Sequence, residues 1–544
     1  AGGFTAEYGD RMSAIIDART LRPAADAYYE LGLSLIHANA LASQKFADGR
    51  GQWLTSFRRS NLDEVADIME SEIGESSYLD GFARVDFAWS PDTRGSLQTL
   101  LARDQAEITN PAGTEHATAE YSNAYVWGTL THDWSARLAT TAILSFTDVS
   151  AERKAAVDEP GKRTGAVDDM RDYDVLGLKV DASYATDRWL QRAGVDARKL
   201  EATYDYTGGV DFAPDYPYPG AGAQDISRAL APNPSGEHFA AYYTVRGRLT
   251  DALTAEVGLR WDEQTYGADA DDQLGPRFNL AWRVDERTRL LVSWGRYQQF
   301  EGIEELQVED GVEDFSPAQS ADHLILGLER DLTPEYSVRV EAYRKDYRDL
   351  RTRFESLYDP LSLAPELRWD RVAISPSSAL AEGGELLLTR KPVDAWSGWF
   401  GYAWSRVTDA VDEGDVRRSW DQTHTVNLGV LWASGPWQAT LAAQYHTGWP
   451  VTPIGLDTQG NVVLGDRNAA RYSDYGSLDA RVSYEWTLPR GTLTLHGELT
   501  NALDRRNPCC TDIEYELDDG TPALERELRH WLPLVPSVGV LWKY

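Results

Sequence analysis

Within residues 475–487, YGSLDARVSYEWT, apolar and polar side chains alternate from Leu478 to Trp486. One face of an extended chain would carry only apolar side chains, namely Leu478, Ala480, Val482, Tyr484 and Trp486. The other face would carry polar ones, namely Asp479, Arg481, Ser483 and Glu485. Such a period of two is typical of a β-strand with one dry and one wet face. The segment also reaches the roughly 9 to 11 residues that a tilted strand needs to cross a bilayer.

Three other segments repeat this pattern and carry it across the chain. Residues 336–342, 435–449 and 491–503 all place apolar side chains at every second position. Strands of soluble sandwiches alternate too, but they are mostly about five or six residues long. The pattern and the length together predict an all-β membrane protein.

The connections between these segments alternate between short and long, which is the second mark of an outer-membrane barrel. The short turns fall at 91–95, 131–134, 185–189, 249–253, 284–288, 331–335, 391–396, 433–436 and 488–491. The long stretches are 151–172, 207–236, 301–318, 351–379, 450–474 and 504–534. We expect the short turns to face the periplasm and the long loops to face the outside.

Counting strands backwards from Tyr544 gives twenty as far as about residue 51. The segment 27–45 is too long for one strand and is expected to split near residues 37–39 into two more. The sequence therefore predicts a 22-stranded antiparallel transmembrane β-barrel over residues 27–544, with short periplasmic turns and long extracellular loops.

The composition limits the function. The net charge of −33 argues against nucleic acid as a partner, because phosphates need a basic surface. No apolar run approaches the roughly 18 residues of a membrane-spanning helix, and the mean hydropathy is −0.46. Two cysteines exclude a disulfide framework. The chain also lacks catalytic signatures such as HExxH and GxSxG, so we expect no enzyme.

Four stretches carry a resemblance to a known family. Residues 2–20, GGFTAEYGDRMSAIIDART, resemble the end of the plug domain of TonB-dependent outer-membrane receptors. The stretches 301–331, 499–510 (LTNALDRRNPCC) and 535–544 (VPSVGVLWKY) resemble the late barrel of the same family. On this resemblance, residues 1–26 are the last part of a plug with its linker, and residues 27–544 are the barrel.

The resemblance implies a receptor in the bacterial outer membrane that imports a scarce ligand, such as a siderophore, cobalamin, a saccharide or a peptide. The implied partners are outer-membrane lipid and lipopolysaccharide, the barrel-assembly machinery, and the TonB complex through a plug that this chain does not contain. We expect a plug of about 100 or more residues to precede Ala1. A plugless diffusion porin and an adhesion barrel that presents its loops to partners stay open as alternatives.

Two sets of loop residues are candidates for ligand binding. The aromatic set is Phe212, Tyr216 and Tyr218, whose ring faces could stack on a ligand. The acidic set is Glu304, Glu305, Glu309 and Asp310. A further group, Asp168, Asp169 and Asp172, offers the hard oxygen ligands that Ca²⁺ prefers, and the same pattern is typical of a solvated acidic surface. No other cofactor is expected.

Two features near the C-terminus complete the predictions. Cys509 and Cys510 are adjacent, so a disulfide between them would be a strained ring that stiffens a loop; free thiols and a metal pair are the alternatives. The final strand alternates Val538, Val540, Trp542 and Tyr544. The resemblance implies that such an ending is the signal read by the assembly machinery.

Overall fold

The computed structural model describes residues 2–20, 22–62, 75–110, 112–214, 216, 225–267, 271–518 and 521–544. Its barrel strands, in chain order, are β1 (Ala27–Ser34), β2 (His37–Phe46), β3 (Gly51–Ser60), β4 (Glu75–Ala88), β5 (Thr93–Thr109), β6 (Glu115–Asp133), β7 (Leu138–Glu159), β8 (Arg163–Ala185), β9 (Trp189–Phe212), β10 (Ser235–Arg248), β11 (Leu253–Gln264), β12 (Asp271–Arg283), β13 (Thr288–Gln299), β14 (Gln319–Asp331), β15 (Tyr336–Arg348), β16 (Ser378–Val393), β17 (Trp396–Val411), β18 (His424–Ser434), β19 (Trp437–His446), β20 (Tyr475–Thr487), β21 (Thr492–Thr500) and β22 (Val535–Lys543).

The sheet closes on itself, and every pairing in it is antiparallel. Val540 of β22 lies opposite Leu495 of β21 on one side and opposite Leu33 of β1 on the other. Two short strands lie outside the ring of 22. Ile226–Leu230 pairs with β9, and Gly414–Arg417 pairs with β17. The predicted 22-stranded barrel is confirmed, and the split of residues 27–45 falls between β1 and β2.

The outer face of the barrel is apolar and ends in tryptophans. Val482 and Trp486, predicted for the dry face, are 50% and 41% exposed there. Exposed indoles lie at the short-turn ends of the strands: Trp89, Trp134, Trp189, Trp282, Trp396, Trp432, Trp437 and Trp486. Because indoles favour the boundary between lipid and water, this ring marks the periplasmic interface of the bilayer.

Helices contribute little to the fold. Two single-turn 3₁₀ helices, Val308–Asp310 and Pro365–Leu367, lie in the described ranges. None of the helices among the described residues has the length and apolar character needed to cross a membrane.

One side of the barrel stands much taller than the other. Strands β6 to β9 have 19 to 24 residues, whereas β18 to β22 have 9 to 13. We call β6–β9 the tall wall. The predicted loop at 151–172 is wrong, because β7 runs to Glu159 and β8 starts at Arg163. The strands there rise beyond the lipid, so their outer face meets water in place of hydrocarbon and the apolar alternation is lost.

The described residues 2–20 and 22–26 carry no strand and lie inside the barrel. The Arg277 guanidinium of β12 sits 4.8 Å from the ring centroid of Phe4 and 4.5 Å from that of Tyr297. It also donates to the carbonyl oxygen of Tyr8 at 2.6 Å. Further along, Gln52 donates to the carbonyl oxygen of Pro23 at 2.8 Å. These contacts fix the segment to the inner wall near its start, at Phe4 and Tyr8, and again at Pro23, close to its entry into β1; that it ends a plug domain stays a prediction.

Candidate functional site

The wide end of the barrel is covered from within by two loops. Loop 301–318 and loop 357–370 fold inward and bury apolar side chains against the tall wall. Ile303, Leu306 and Leu367 are at most 1% exposed in this contact. Their partners on the wall include Tyr204 and Tyr206 of β9, which are each 1% exposed. We call this apolar cluster, which forms above the lipid, the second core. It closes the mouth over that side of the lumen.

Ion pairs attach loop 301–318 to its surroundings. Arg171 of the tall wall lies 2.6 Å from Glu309, and Arg371 lies 2.5 Å from Asp310. A third pair joins Arg351 to Glu305 at 2.9 Å. Three of the four acidic residues predicted to bind ligand therefore hold the loop in place, and their ligand role stays a prediction.

Glu304, the fourth acidic residue, has a different environment. Burial raises the pKa of its carboxyl, and the neighbouring charge of Glu305 raises it further. The carboxyl of Asp310 is also raised in pKa by burial, although Arg371 opposes the shift. Loop 301–318, which lies outside the membrane-spanning strands, thus contains two carboxyls with raised pKa values, those of Glu304 and Asp310.

Loop 357–370 is held by a buried network on the tall wall. Arg153 of β7 lies 2.8 Å from Glu366 of the loop and 2.7 Å from Asp169 of β8. Arg163 donates to the carbonyl oxygen of Leu367 at 2.6 Å. Glu366 and Asp169 are 2% and 3% exposed, so their charges depend on these arginines rather than on water.

A hairpin crosses the mouth from the opposite side. Its strands, Pro508–Asp518 and Thr521–His530, connect β21 to β22 and reach the tall wall. The backbone N–H of Tyr515 donates to the Tyr216 hydroxyl at 2.9 Å, and Lys162 lies 2.9 Å from Glu514. The tall wall, the two inward loops and this hairpin form one continuous extracellular assembly.

The predicted aromatic set is divided by this arrangement. Phe212 is the last residue of β9 and is buried in the second core, so the prediction that places it in a loop is wrong, and its ligand role stays a prediction. Tyr216 contacts the hairpin through both its hydroxyl and its ring, which meets the Tyr515 ring at 6.4 Å. Tyr218 lies outside the described residues.

The three aspartates predicted to hold Ca²⁺ are not brought together. They lie on β8, where Asp169 points inward to Arg153 while Asp168 and Asp172 are on the outer face. In the part of the chain that the structure describes, no group of three or more His, Cys, Asp or Glu side chains could hold a metal ion. The geometry of the strand therefore corrects the prediction that these residues form one site.

Cys509 and Cys510 are buried at the base of the hairpin, and both are free thiols in this structure. The predicted disulfide ring is therefore not formed here. Hydrogen bonding to Cys509, together with burial, raises the pKa of the Cys510 thiol. Val538 and Val540 of β22 and the terminal Tyr544 face outward, and the Trp542 and Tyr544 rings stack at 6.0 Å. An assembly role for this ending stays a prediction.

The sequence reasoning missed the arginines that organise the mouth. A usable signal was present, since arginine and a carboxylate recur two positions apart and so share one strand face. Examples are Asp169 with Arg171, Arg260 with Asp262, and Arg353 with Glu355. The buried members of the first two pairs, Asp169, Arg260 and Asp262, lie where a lone charge would cost free energy.

Comparisons with known proteins agree with this architecture. Residues 72–502 match a family model described as TonB dependent receptor-like, beta-barrel. No curated protein matches the sequence. Among solved structures, the ferric yersiniabactin uptake receptor FyuA from Yersinia pestis superposes with a TM-score of 0.71 at 12% identity, covering 96% of this chain and 81% of FyuA.

Two further structures show the same fold. The ferripyoverdine receptor of the outer membrane of Pseudomonas aeruginosa gives a TM-score of 0.65 at 11% identity, covering 95% of this chain and 71% of the receptor. The copper transporter OprC gives a TM-score of 0.67 at 13% identity, covering 95% and 80%. Such identities show the fold alone. With the family match over most of its length and its closed 22-stranded barrel, the chain belongs to the TonB-dependent receptor family of the bacterial outer membrane.

Proposed function

We propose that this chain forms the barrel of an energy-dependent receptor that takes up a scarce ligand from outside the cell. The observation that carries this proposal is the covered mouth. Two loops are packed inward with fully buried side chains, and a hairpin reaches across to the tall wall. A passive pore works by leaving a water-filled path open, and a wide barrel would have one without such cover.

The family supports the same direction. The solved structures named above, which share this fold, are a ferric yersiniabactin uptake receptor, a ferripyoverdine receptor and a copper transporter. We infer coupling to TonB through a plug domain, and contact with lipid and lipopolysaccharide around the barrel. We propose no catalytic role, because the mouth is built from Arg–carboxylate pairs that fix loops and not from a nucleophile next to a base.

Conductance of the natural protein tests this proposal against the porin alternative. The protein is purified from native outer membranes and inserted into planar lipid bilayers under an applied voltage. We expect a closed state with only rare openings. Steady conductance through every inserted molecule would contradict the receptor and favour the diffusion pore.

A further inference from the structure

The two cysteines of this 544-residue chain are neighbours at the base of the hairpin that crosses the mouth. Cys509 and Cys510 are 4% and 1% exposed. Residues 503–506, which lead into them, are all exposed, so the pair lies just beneath the outer surface of the protein. That surface faces an oxidising environment, in which thiols tend to form disulfides. Two free thiols side by side in such a place invite a chemical explanation.

A bulge in the hairpin turns the two thiols to the same side. Consecutive side chains of a regular strand point to opposite faces. Here the ladder passes from Pro508 directly to Cys510, while it advances by only one residue on the other strand, and so leaves Cys509 outside the ladder. Bulges redirect side chains in this way and are common next to functional sites. As a result the two sulfur atoms are 2.8 Å apart.

The surroundings make the two thiols chemically unequal. The hydrogen bond from Cys510 lowers the pKa of the Cys509 thiol. The charge of Arg529 lowers that pKa further, while burial and the carboxylate of Asp359 oppose the shift. The same hydrogen bond, together with burial, raises the pKa of the Cys510 thiol. Because the thiolate is the nucleophilic form of cysteine, Cys509 is the thiol suited to attack, and it is also the more exposed of the two.

We propose that Cys509 and Cys510 form a redox couple that hydrogen peroxide closes to a disulfide. The Cys509 thiolate attacks one oxygen of the peroxide, the O–O bond breaks, and the hydroxide that leaves takes up the proton released by Cys509. Cys509 is then a sulfenic acid. The sulfur of Cys510 attacks the sulfur of Cys509, the S–S bond forms, and the second hydroxide leaves as water with the Cys510 proton. The dithiol is oxidised by two electrons, and one peroxide is reduced to two waters.

Closing this ring would disturb the contact between the hairpin and loop 357–370. A trans peptide holds adjacent Cα atoms about 3.8 Å apart, whereas a disulfide usually spans about 4.4–6.8 Å, so the backbone of the pair has to rearrange. The next residue, Thr511, donates its backbone N–H to the carbonyl oxygen of Tyr358 at 2.9 Å. Arg529 of the hairpin also pairs with Asp359 of the same loop. We therefore expect oxidation to loosen loop 357–370, one of the two loops that cover the mouth.

Thiol counting and peptide mass test the chemistry on the natural protein in detergent micelles. The reduced protein is treated with enough hydrogen peroxide to oxidise a free dithiol completely, and is then denatured and reacted with a maleimide. We expect both thiols to disappear and the peptide that contains them to lose two hydrogen atoms, with full recovery after dithiothreitol. Methionine oxidation is distinguished because it adds oxygen. Surviving thiols, or sulfinic acids at either cysteine, would overturn the proposal.

Single serine variants test the roles of the two thiols. In Cys510→Ser the attacking thiol has no partner, so peroxide should leave a sulfenic acid at Cys509 that dimedone labels. In Cys509→Ser the remaining thiol has the raised pKa, and its labelling should be about tenfold slower or more, since each pKa unit lowers the thiolate fraction about tenfold. Equal labelling of the two variants would overturn the assignment of roles. Heat-modifiable migration on gels shows that both variants are folded.

Hydrogen–deuterium exchange measures the consequence for the mouth. Oxidation should speed the exchange of peptides from loop 357–370 about fivefold, which corresponds to the loss of about one hydrogen bond, and dithiothreitol should reverse the effect. The double variant Cys509→Ser/Cys510→Ser is the matched control, because it keeps all three methionines and should not respond to peroxide. Unchanged exchange in the oxidised natural protein would refute the coupling to the loop. These measurements need no transported ligand, so their failure would leave the proposed function and its conductance test unaffected.

Discussion

Arg153→Met should release loop 357–370 while the barrel stays intact. In the structure the Arg153 guanidinium bridges Glu366 at 2.8 Å and Asp169 at 2.7 Å. Asp169 keeps Arg171 at 2.8 Å, but Glu366 would retain only the Tyr206 hydroxyl at 3.3 Å. Removing one partner of a buried pair costs about 3–5 kcal/mol, because the remaining charge has no water to solvate it. The wall strands keep their backbone ladder, so this cost falls on the loop.

Hydrogen–deuterium exchange read by mass spectrometry measures this effect on peptides from residues 357–370. A loss of about 3–5 kcal/mol in local opening corresponds to exchange faster by roughly 100-fold to several thousand-fold. Peptides from the short strands β18 to β21 should keep their protection. Arg344→Met is the control, since Arg344 pairs with Asp346 on an exposed surface and should leave loop exchange unchanged.

A double variant tests the physical cause. Adding Glu366→Gln to Arg153→Met removes the stranded charge, so part of the lost protection should return. Unchanged exchange in Arg153→Met would refute the idea that this pair holds the loop. Equal exchange in the single and double variants would refute the idea that a buried charge causes the release.

Three further outcomes follow from the mouth. Burial raises the pKa of Glu304, so the folded loop binds the proton of this carboxyl more tightly than the unfolded chain does. The stability of the loop therefore falls as the pH rises from the ordinary carboxyl pKa through the raised one. Glu304→Gln should slow hydrogen–deuterium exchange of loop 301–318 at pH 7 and leave it unchanged at pH 4. Cys509 and Cys510 should react slowly with a thiol reagent in the folded protein and give two thiols after denaturation without reductant. A count of zero thiols would show instead that the two cysteines form a disulfide. Ile303→Asp places a charge at a fully buried position and should raise bilayer conductance, while Glu313→Ala at an exposed position of the same loop should not.

The transmembrane part could be predicted because lipid enforces a strict rule on sequence. In a membrane-spanning strand every second residue faces hydrocarbon and must be apolar. The alternation in segments such as 475–487 therefore reveals both the two faces and the length of the strand. The rule ends where the lipid ends. Beyond that height, the continuation of β7 and β8 through 151–172 has the composition of a loop, and Phe212 was assigned to a loop for the same reason.

The mouth could be predicted only in outline. The acidic run at 301–318 was recognised as a unit, but its partners are distant in sequence: Arg171 lies 138 positions from Glu309. Local spacing cannot reveal such pairs, because they depend on how loops fold back over a closed sheet.

The tall wall also determines which part of the protein a large particle contacts first at the cell surface. A strand of 22 residues such as β7 needs about half its length for the bilayer, so the rest continues for about 40 Å along the strand. That rise ends in the three-residue turn 160–162, a tip with no room to fold back. A phage tail fibre or an antibody would therefore touch a stiff rim long before it reached the lipid, and the recessed mouth would admit only molecules small enough to pass inside it.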